Sequence, residues 1–185
     1  MRDLGLTVIR GVVGGLMAGH GAQKLFGAFE GPGLKGTAGM MEMMGLRPGH
    51  LWGTAAALSE FGGGTLTALG LLHPFGPIGT LSAMTMATAK AHWGKPIWVS
   101  AGGAELPLLN SAVAVGLMLT GPGDYSLDEA LGIEIPPALT AVALLGAGAL
   151  IGYGIVQKPT PSEPAQTEAR TTLEGGEEAS DSTIA

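Results

Sequence analysis

Five long apolar runs occupy most of the chain up to residue 156, at roughly Leu4–Ala22, Leu51–Leu72, Phe75–Ala91, Ala104–Thr120 and Ile135–Val156. A helix needs about 20 apolar residues, with a lower limit near 17, to span the hydrocarbon of a bilayer. The first, second and fifth runs meet that length. The third and fourth sit at the limit and must be buried among their neighbours. The expected fold is therefore all-α, a polytopic transmembrane helix bundle of five spans. Arg10 interrupts the first run and the amino end is barely basic, which argues against a cleaved signal peptide.

Composition agrees with that solvent. The 185 residues are 46% hydrophobic and 13% charged, with a mean hydropathy of +0.37, whereas a soluble domain carries about 25% charged residues. Glycine is abundant, at 33 residues, and aromatics are scarce, at 5%. Close helix packing through small faces, a habit of membrane bundles, uses such a composition. The absence of Cys excludes a disulfide framework, a Cys-ligated zinc or iron–sulfur site, and thiol chemistry. A redox role would have to draw on a bound carrier or a partner.

The net charge of −6 sits mostly in the tail from Gln157 to Ala185. There Glu163, Glu168, Glu174, Glu177, Glu178 and Asp181 face only Lys158 and Arg170. Rich also in Pro, Thr, Ser and Gly, the tail cannot bury enough apolar area to offset its ordering entropy and reads as a disordered, solvated segment. Elsewhere the cations fall on one side. Alternating spans put the loops at 23–50 and 92–103 and the tail together, with Lys24, Lys35, Arg47, Lys95 and Lys158, and Lys90 at a span edge. The opposite side has only Arg2 and an acidic loop at 121–134. The chain is expected in the plasma (inner) membrane, and the positive-inside rule places its amino terminus outside and its tail in the cytoplasm.

Inside the second run stands one carboxylate, Glu60. At helical spacing it shares a face with Gly53, Ala56, Ala57, Gly63, Gly64 and Thr67. The first run lines up Arg10, Gly14, Met17, Gly21 and Lys24, with Gly11, Gly15 and Gly19 as a second ridge of the spacing that permits tight helix contact. The fourth lines up Glu105, Leu109, Ala112 and Gly116. These faces are expected to point into the bundle. Counting depth at ~1.5 Å per residue brings Arg10 and Glu60 together near the midplane as an ion pair. His20, Lys24, Lys90, His92 and Glu105 gather toward the cytoplasmic ends. Intramembrane ionisable residues mark functional sites as well as structural pairs, so Glu60 and Arg10 are the candidate catalytic residues. His20, Lys24, Lys90 and Glu105 are the candidate ligand-binding or proton-path residues.

Other patterns carry less. Gly31, Gly33 and Gly36 have dinucleotide-loop spacing but lack the surrounding strand and helix pattern. His20 and His92 do not make a convincing haem pair, and no metal site is expected. SLDE at 126–129 is a capping box opening a short helix that Gly132 ends.

The strings IRGVVGGLMAGHGAQKLFG, SEFGGGTLTALGLL, GGAELPLL and LTGPGDYSLDEALG, in that order, resemble the DoxX family of small bacterial and archaeal membrane proteins. The matching positions are Arg10, Gly21 and Lys24, then Glu60, Gly63, Gly64 and Gly70, then Glu105. Gly121, Pro122, Gly123, Ser126, Leu127 and Asp128 complete them, and the likeness runs from about Leu4 to Leu131. It implies a four-helix core at 1–134, to which this chain adds a fifth transmembrane helix at 135–156, with Gly148 and Gly152 spaced for packing, and the acidic tail at 157–185. The family is named for a membrane subunit associated with a thiosulfate:quinone oxidoreductase, and other members are linked to oxidative-stress defence. The resemblance thus implies a redox subunit that handles a quinone or similar lipid-soluble carrier and is not a complete enzyme alone. Its expected partners are the bilayer, a protein that supplies electrons and further copies of itself, with no nucleic acid. A small-solute or proton transporter, and a non-catalytic scaffold for soluble redox or stress proteins, stay open as alternatives.

Overall fold

A computed structural model describes residues 1–158 of the chain, so the acidic tail lies outside the described residues from 159 onward. Among the described residues seven α-helices follow one another: α1 Arg2–Phe26, α2 Gly33–Met43, α3 Gly49–Leu69, α4 Phe75–Ala87, α5 Glu105–Thr120, α6 Leu127–Leu131 and α7 Pro137–Val156. The fold is all-α, and each of the five apolar runs is helical. Pro137–Val156 is, among the described residues, the helix long and apolar enough to cross a membrane.

The α1–α3 pair is the spine. Gly14 lies against the backbone of Gly64 and Ala68, Gly64 against Ala18, and Gly21 against Phe61. Chain numbers rise on one helix as they fall on the other, so the pair is antiparallel. A Cβ on Gly14 would stand 2.5 Å from the amide nitrogen of Ala68 and 2.6 Å from the carbonyl oxygen of Gly64. No side chain can be accommodated there without separating the helices. The buried residues of α1 are Arg10, Gly14, Met17 and Gly21. Those of α3 include Gly53, Ala57, Glu60, Gly63, Gly64 and Thr67. Both stripes are the ones the spacing indicated. On the other face of α3, Gly63 touches α4 at Gly76 and Thr80.

Three expectations of facing need correction. Gly11, Gly15 and Gly19 meet nothing within 4 Å, because α1 turns its Gly14 face to α3 and leaves the second ridge outward. On α5, Leu109, Ala112 and Gly116 are exposed, and Pro107, Ala114 and Leu117 face inward instead. On α7 the spaced glycines Gly148 and Gly152 are open, whereas Gly154 is buried against Trp52 and Met86.

The segment expected as a loop at 23–50 contains α2. It leaves α1 through Gly27, which caps that helix at φ 71°, and then packs across α3 where Gly49 and Gly53 offer no side chains against Ala38. Thr37, fully buried, donates its hydroxyl to the carbonyl of Gly33 at 2.8 Å. The glycines at 31, 33 and 36 obscured this helix by lowering its apparent propensity. Its apolar residues Met40, Met41, Met43 and Met44 are the signal that was available.

Gly64→Val is expected to cost at least ~2 kcal/mol through overpacking against α1. Gly15→Ala, in open space on a helix, should be neutral or stabilising by up to ~1 kcal/mol. Thermal unfolding of the purified variants in detergent checks both; equal effects would mean that the helices do not pack through Gly64.

Candidate functional site

The glycine contacts set the register of the charges. Glu60 lies nearly level with Gly21 on α1, since Gly21 sits against Phe61. Arg10 precedes Gly21 by eleven positions, roughly 16 Å at ~1.5 Å per residue. The expected Arg10–Glu60 pair therefore does not form. Depth counted from span ends assumed a direct hairpin, but α2 intervenes and the glycine seam decides the register. Glu60, 4% exposed, instead receives Lys24, whose ammonium donates to both carboxylate oxygens. The Lys24 side chain remains 24% exposed.

The pair borders a cavity of about 340 Å³. Small side chains on facing helices create the space: Ala55, Ala56 and Ser59 on α3, Ala83 and Ala87 on α4, and Ala147 on α7. Met40 and Met41 of α2, Met44 at its C-terminal cap and Met86 of α4 line it with flexible thioether chains, and Trp52 and Leu150 add bulk. Methionine suits a surface that must adapt to an apolar guest. The two serines have spent their protons, Ser59 on the carbonyl of Gly79 and Ser82 on that of Ile78, each at 2.7 Å. Lys24, Glu60 and Lys90 are the charged side chains of the lining. An ammonium has three protons, so Lys24 keeps one beyond the two directed at Glu60.

Lys90 lies on the π-helical turn Thr88–His92 that ends α4. Its ammonium donates to the carbonyls of Ile155, at 3.2 Å, and Gln157. The side-chain oxygen of Gln157 accepts the amide proton of Arg47 at 2.7 Å, and Tyr153 stacks on Trp52 with ring centroids 6.1 Å apart. These contacts hold the end of α7 against the cavity. Gln157, expected as the first residue of a solvated tail, belongs to this clasp.

Arg10, also 4% exposed, serves the opposite end of the bundle. Its guanidinium donates to the carbonyls of Pro122 and Tyr125. Gly70 ends α3 at φ 61°, and a Cβ there would meet Ser126 at 2.7 Å and the Arg10 guanidinium at 2.9 Å. Ser126 caps α6 by accepting from the amide of Glu129 at 3.2 Å, and Gly132 closes that helix in the left-handed region, as the capping box indicated. Asp128, in the first turn of α6, reaches across instead: its carboxylate accepts the amides of Leu72 at 2.8 Å and His73 at 2.7 Å. With Gly121 and Gly123 at φ 82° and 81° turning the loop, these residues lock α1, the α3–α4 turn and α6 together. The remaining space beside Arg10 is only about 10 Å³. Arg10 is thus a lock residue, remote from the cavity.

The other candidates separate. His20 is exposed on α1 and away from the cavity lining. Glu105 accepts the amide of Val99 at 2.8 Å, while His92 pairs through Nδ1 with the carbonyl of Gly102 at 2.7 Å. The expected inner cluster resolves into the Lys24–Glu60 pair, the Lys90 clasp and a self-contained loop. The methionines, Trp52, Ala147 and Gln157 were not singled out, and only the string MMEMM at 40–44 signalled any of them.

A helical bundle with an ion pair beside an apolar cavity, and one helix long and apolar enough to cross a bilayer, describes a small all-α protein. Residues 5–93 match the DoxX family model, and the chain carries a DoxX family domain over those residues. The match ends before Glu105 and the GPG-x-x-SLD segment. No curated protein and no solved structure matches the chain.

Removing one partner of a buried pair strands the other charge. Lys24→Met should cost about 2 kcal/mol, less than for a fully enclosed pair because Lys24 is partly solvated. Adding Glu60→Gln to it should restore part of that loss; a double-mutant cycle in detergent reads the coupling, and additive losses would mean no coupling. At the other end, burial lowers the pKa of His73, opposed by Asp128 and by a hydrogen bond with the Met118 backbone. Below the ordinary imidazole value of about 6.5 the unfolded chain then binds more protons than the folded one, so stability falls on acidification through that window. Melting of the native chain at about pH 7.5 and about pH 5.5, either side of that value, should show the loss, and His73→Asn should diminish it.

Proposed function

We propose that this chain is a polytopic membrane subunit that holds a quinone or chemically similar lipid-soluble carrier in the cavity beside Lys24 and Glu60. The observation that carries this reading is the combination in one void of an apolar, methionine-rich wall and a buried ion pair. An apolar pocket with a few convergent polar groups is the usual form of a small-molecule site. Reduction of a quinone to its quinol takes up two electrons and two protons. The electrons come from a partner protein. With a quinone bound, the spare Lys24 proton would be available to a carbonyl oxygen of the ring, and the Lys24–Glu60 pair would supply protons drawn from the aqueous face.

The membrane setting is supported by outward side chains. Leu4, Val8, Val12 and Leu16 of α1, Leu109 and Leu119 of α5, and Leu139, Val142 and Leu145 of α7 are all exposed. That is far more apolar surface than water tolerates on a monomer. At ~1.5 Å per residue α1 is roughly 37 Å long and α3 roughly 31 Å, each enough for a hydrocarbon core of about 30 Å. In this reading α1, α3, α4 and α5 form a four-helix membrane domain within 1–134, and α7 is the additional span. The cation-rich end, with Lys24, Lys90 and Lys95, faces the cytoplasm. The exposed glycine ridge of α1 is available to a second copy.

Mass spectrometry of lipid-soluble molecules retained by protein purified from its native membrane tests the reading. The wild type should hold a quinone near one per chain. Ala147→Phe, which fills the cavity without touching a charge, should lose it, and Glu60→Gln should retain less. A folded wild type that retains no such molecule would move the assignment to scaffold or transporter.

A further inference from the structure

The segment from Trp93 to Gly103, between α4 and α5, is a closed loop turned inside out. Part of its backbone is bonded internally: Lys95 donates its amide to the carbonyl of His92 at 3.2 Å, and Gly103 to that of Trp98 at 3.0 Å. Glu105 donates its amide to Ile97 at 2.9 Å, and its carboxylate accepts from Val99 at 2.8 Å. His92 fastens the far side through the carbonyl of Gly102 at 2.7 Å. Each such bond lowers the cost of bringing the backbone toward a medium poor in water, and the hydrated headgroup layer can serve the amides left over. The side chains, however, point away from the fold. Trp93 is 81% exposed and Trp98 63%, and Ile97 and Val99 are exposed as well.

Charge says what covers them. Lys90, His92 and Lys95 lie in or beside this loop, and the sequence from Phe61 to Ala104 contains no Asp or Glu. The one adjacent acid, Glu105, has its carboxylate turned onto the amide of Val99. The apolar surface continues directly into the exposed Leu106 and Leu109 of α5. Indole rings favour the boundary between headgroups and acyl chains, and basic side chains near that boundary are drawn to anionic lipid.

We propose that the Trp93–Gly103 loop seats in the headgroup layer of the bilayer that carries the chain, with Trp93 and Trp98 at the acyl boundary and Lys95 against the phosphate of an anionic phospholipid. This rests on the membrane reading above and is independent of what the cavity holds.

The full chain in vesicles of mixed phosphatidylcholine and phosphatidylglycerol supplies the test. Tryptophan emission is compared among the wild type, Trp93→Phe and Trp98→Phe, leaving the buried Trp52 as the constant contribution. The emission lost in either variant should be quenched by phospholipid brominated near the headgroup and shielded from iodide in the wild type. Lys95→Glu should raise iodide quenching about fivefold in the anionic vesicles and little in phosphatidylcholine alone. Leu145→Cys, unique in a chain without cysteine, reports insertion of α7 by its protection from an aqueous maleimide. Iodide-accessible Trp93 and Trp98 with Leu145→Cys protected would overturn the proposal while leaving the membrane reading intact, and would assign the loop to water or a protein partner. Reactive Leu145→Cys would overturn both. Equal seating in both vesicle types, unmoved by Lys95→Glu, would overturn the role of anionic lipid.

Discussion

The glycine seam between α1 and α3 is the constraint on which the rest depends. Gly14, Gly21 and Gly64 bring two backbones into direct contact, and contact that close admits only one register. From that register follow the separation of Arg10 from Glu60, the meeting of Glu60 with Lys24, and the placing of Gly70 beneath the Arg10 guanidinium. Shifting the helices by a turn would move each charge roughly 5 Å along the axis and strand it.

The two ends of the bundle solve the cost of buried charge differently. Around Arg10, two carbonyl oxygens of the 121–126 loop accept from the guanidinium and Asp128 ties down the next turn, with almost no space left over. That end is filled and structural. Around Glu60 the opposing charge comes from a partly solvated lysine, and a cavity of about 340 Å³ remains beside it. A void maintained by facing alanines would cost stability if it stayed empty. This asymmetry is why the functional reading belongs to the Lys24–Glu60 end.

The cavity also crosses the boundary of the family domain. Lys24, Glu60 and Lys90 lie within residues 5–93, but Ala147 and Leu150 come from α7, far beyond the match. The shape of the site is therefore a property of this chain, set by how α7 docks through Gly154, Tyr153 and Gln157.

Much was legible before any coordinates. Continuous apolar runs dictate helices through length and hydropathy alone, and all five formed. Spacing identified the buried stripes of α1 and α3, because a helix converts sequence interval into direction. The SLDE cap was legible for the same reason: its hydrogen bond is local. The methionine-rich α2 was missed because its glycines weigh against a helix until the contact with Gly49 and Gly53 repays them. The mistaken partner of Glu60 has one cause as well. Spacing tells which face a charge is on, whereas which charge on the neighbouring helix it meets depends on axial register. Only the tertiary contact between Gly14, Gly21 and the backbone of α3 decided that, because register is a relation between two helices and neither sequence alone contains it.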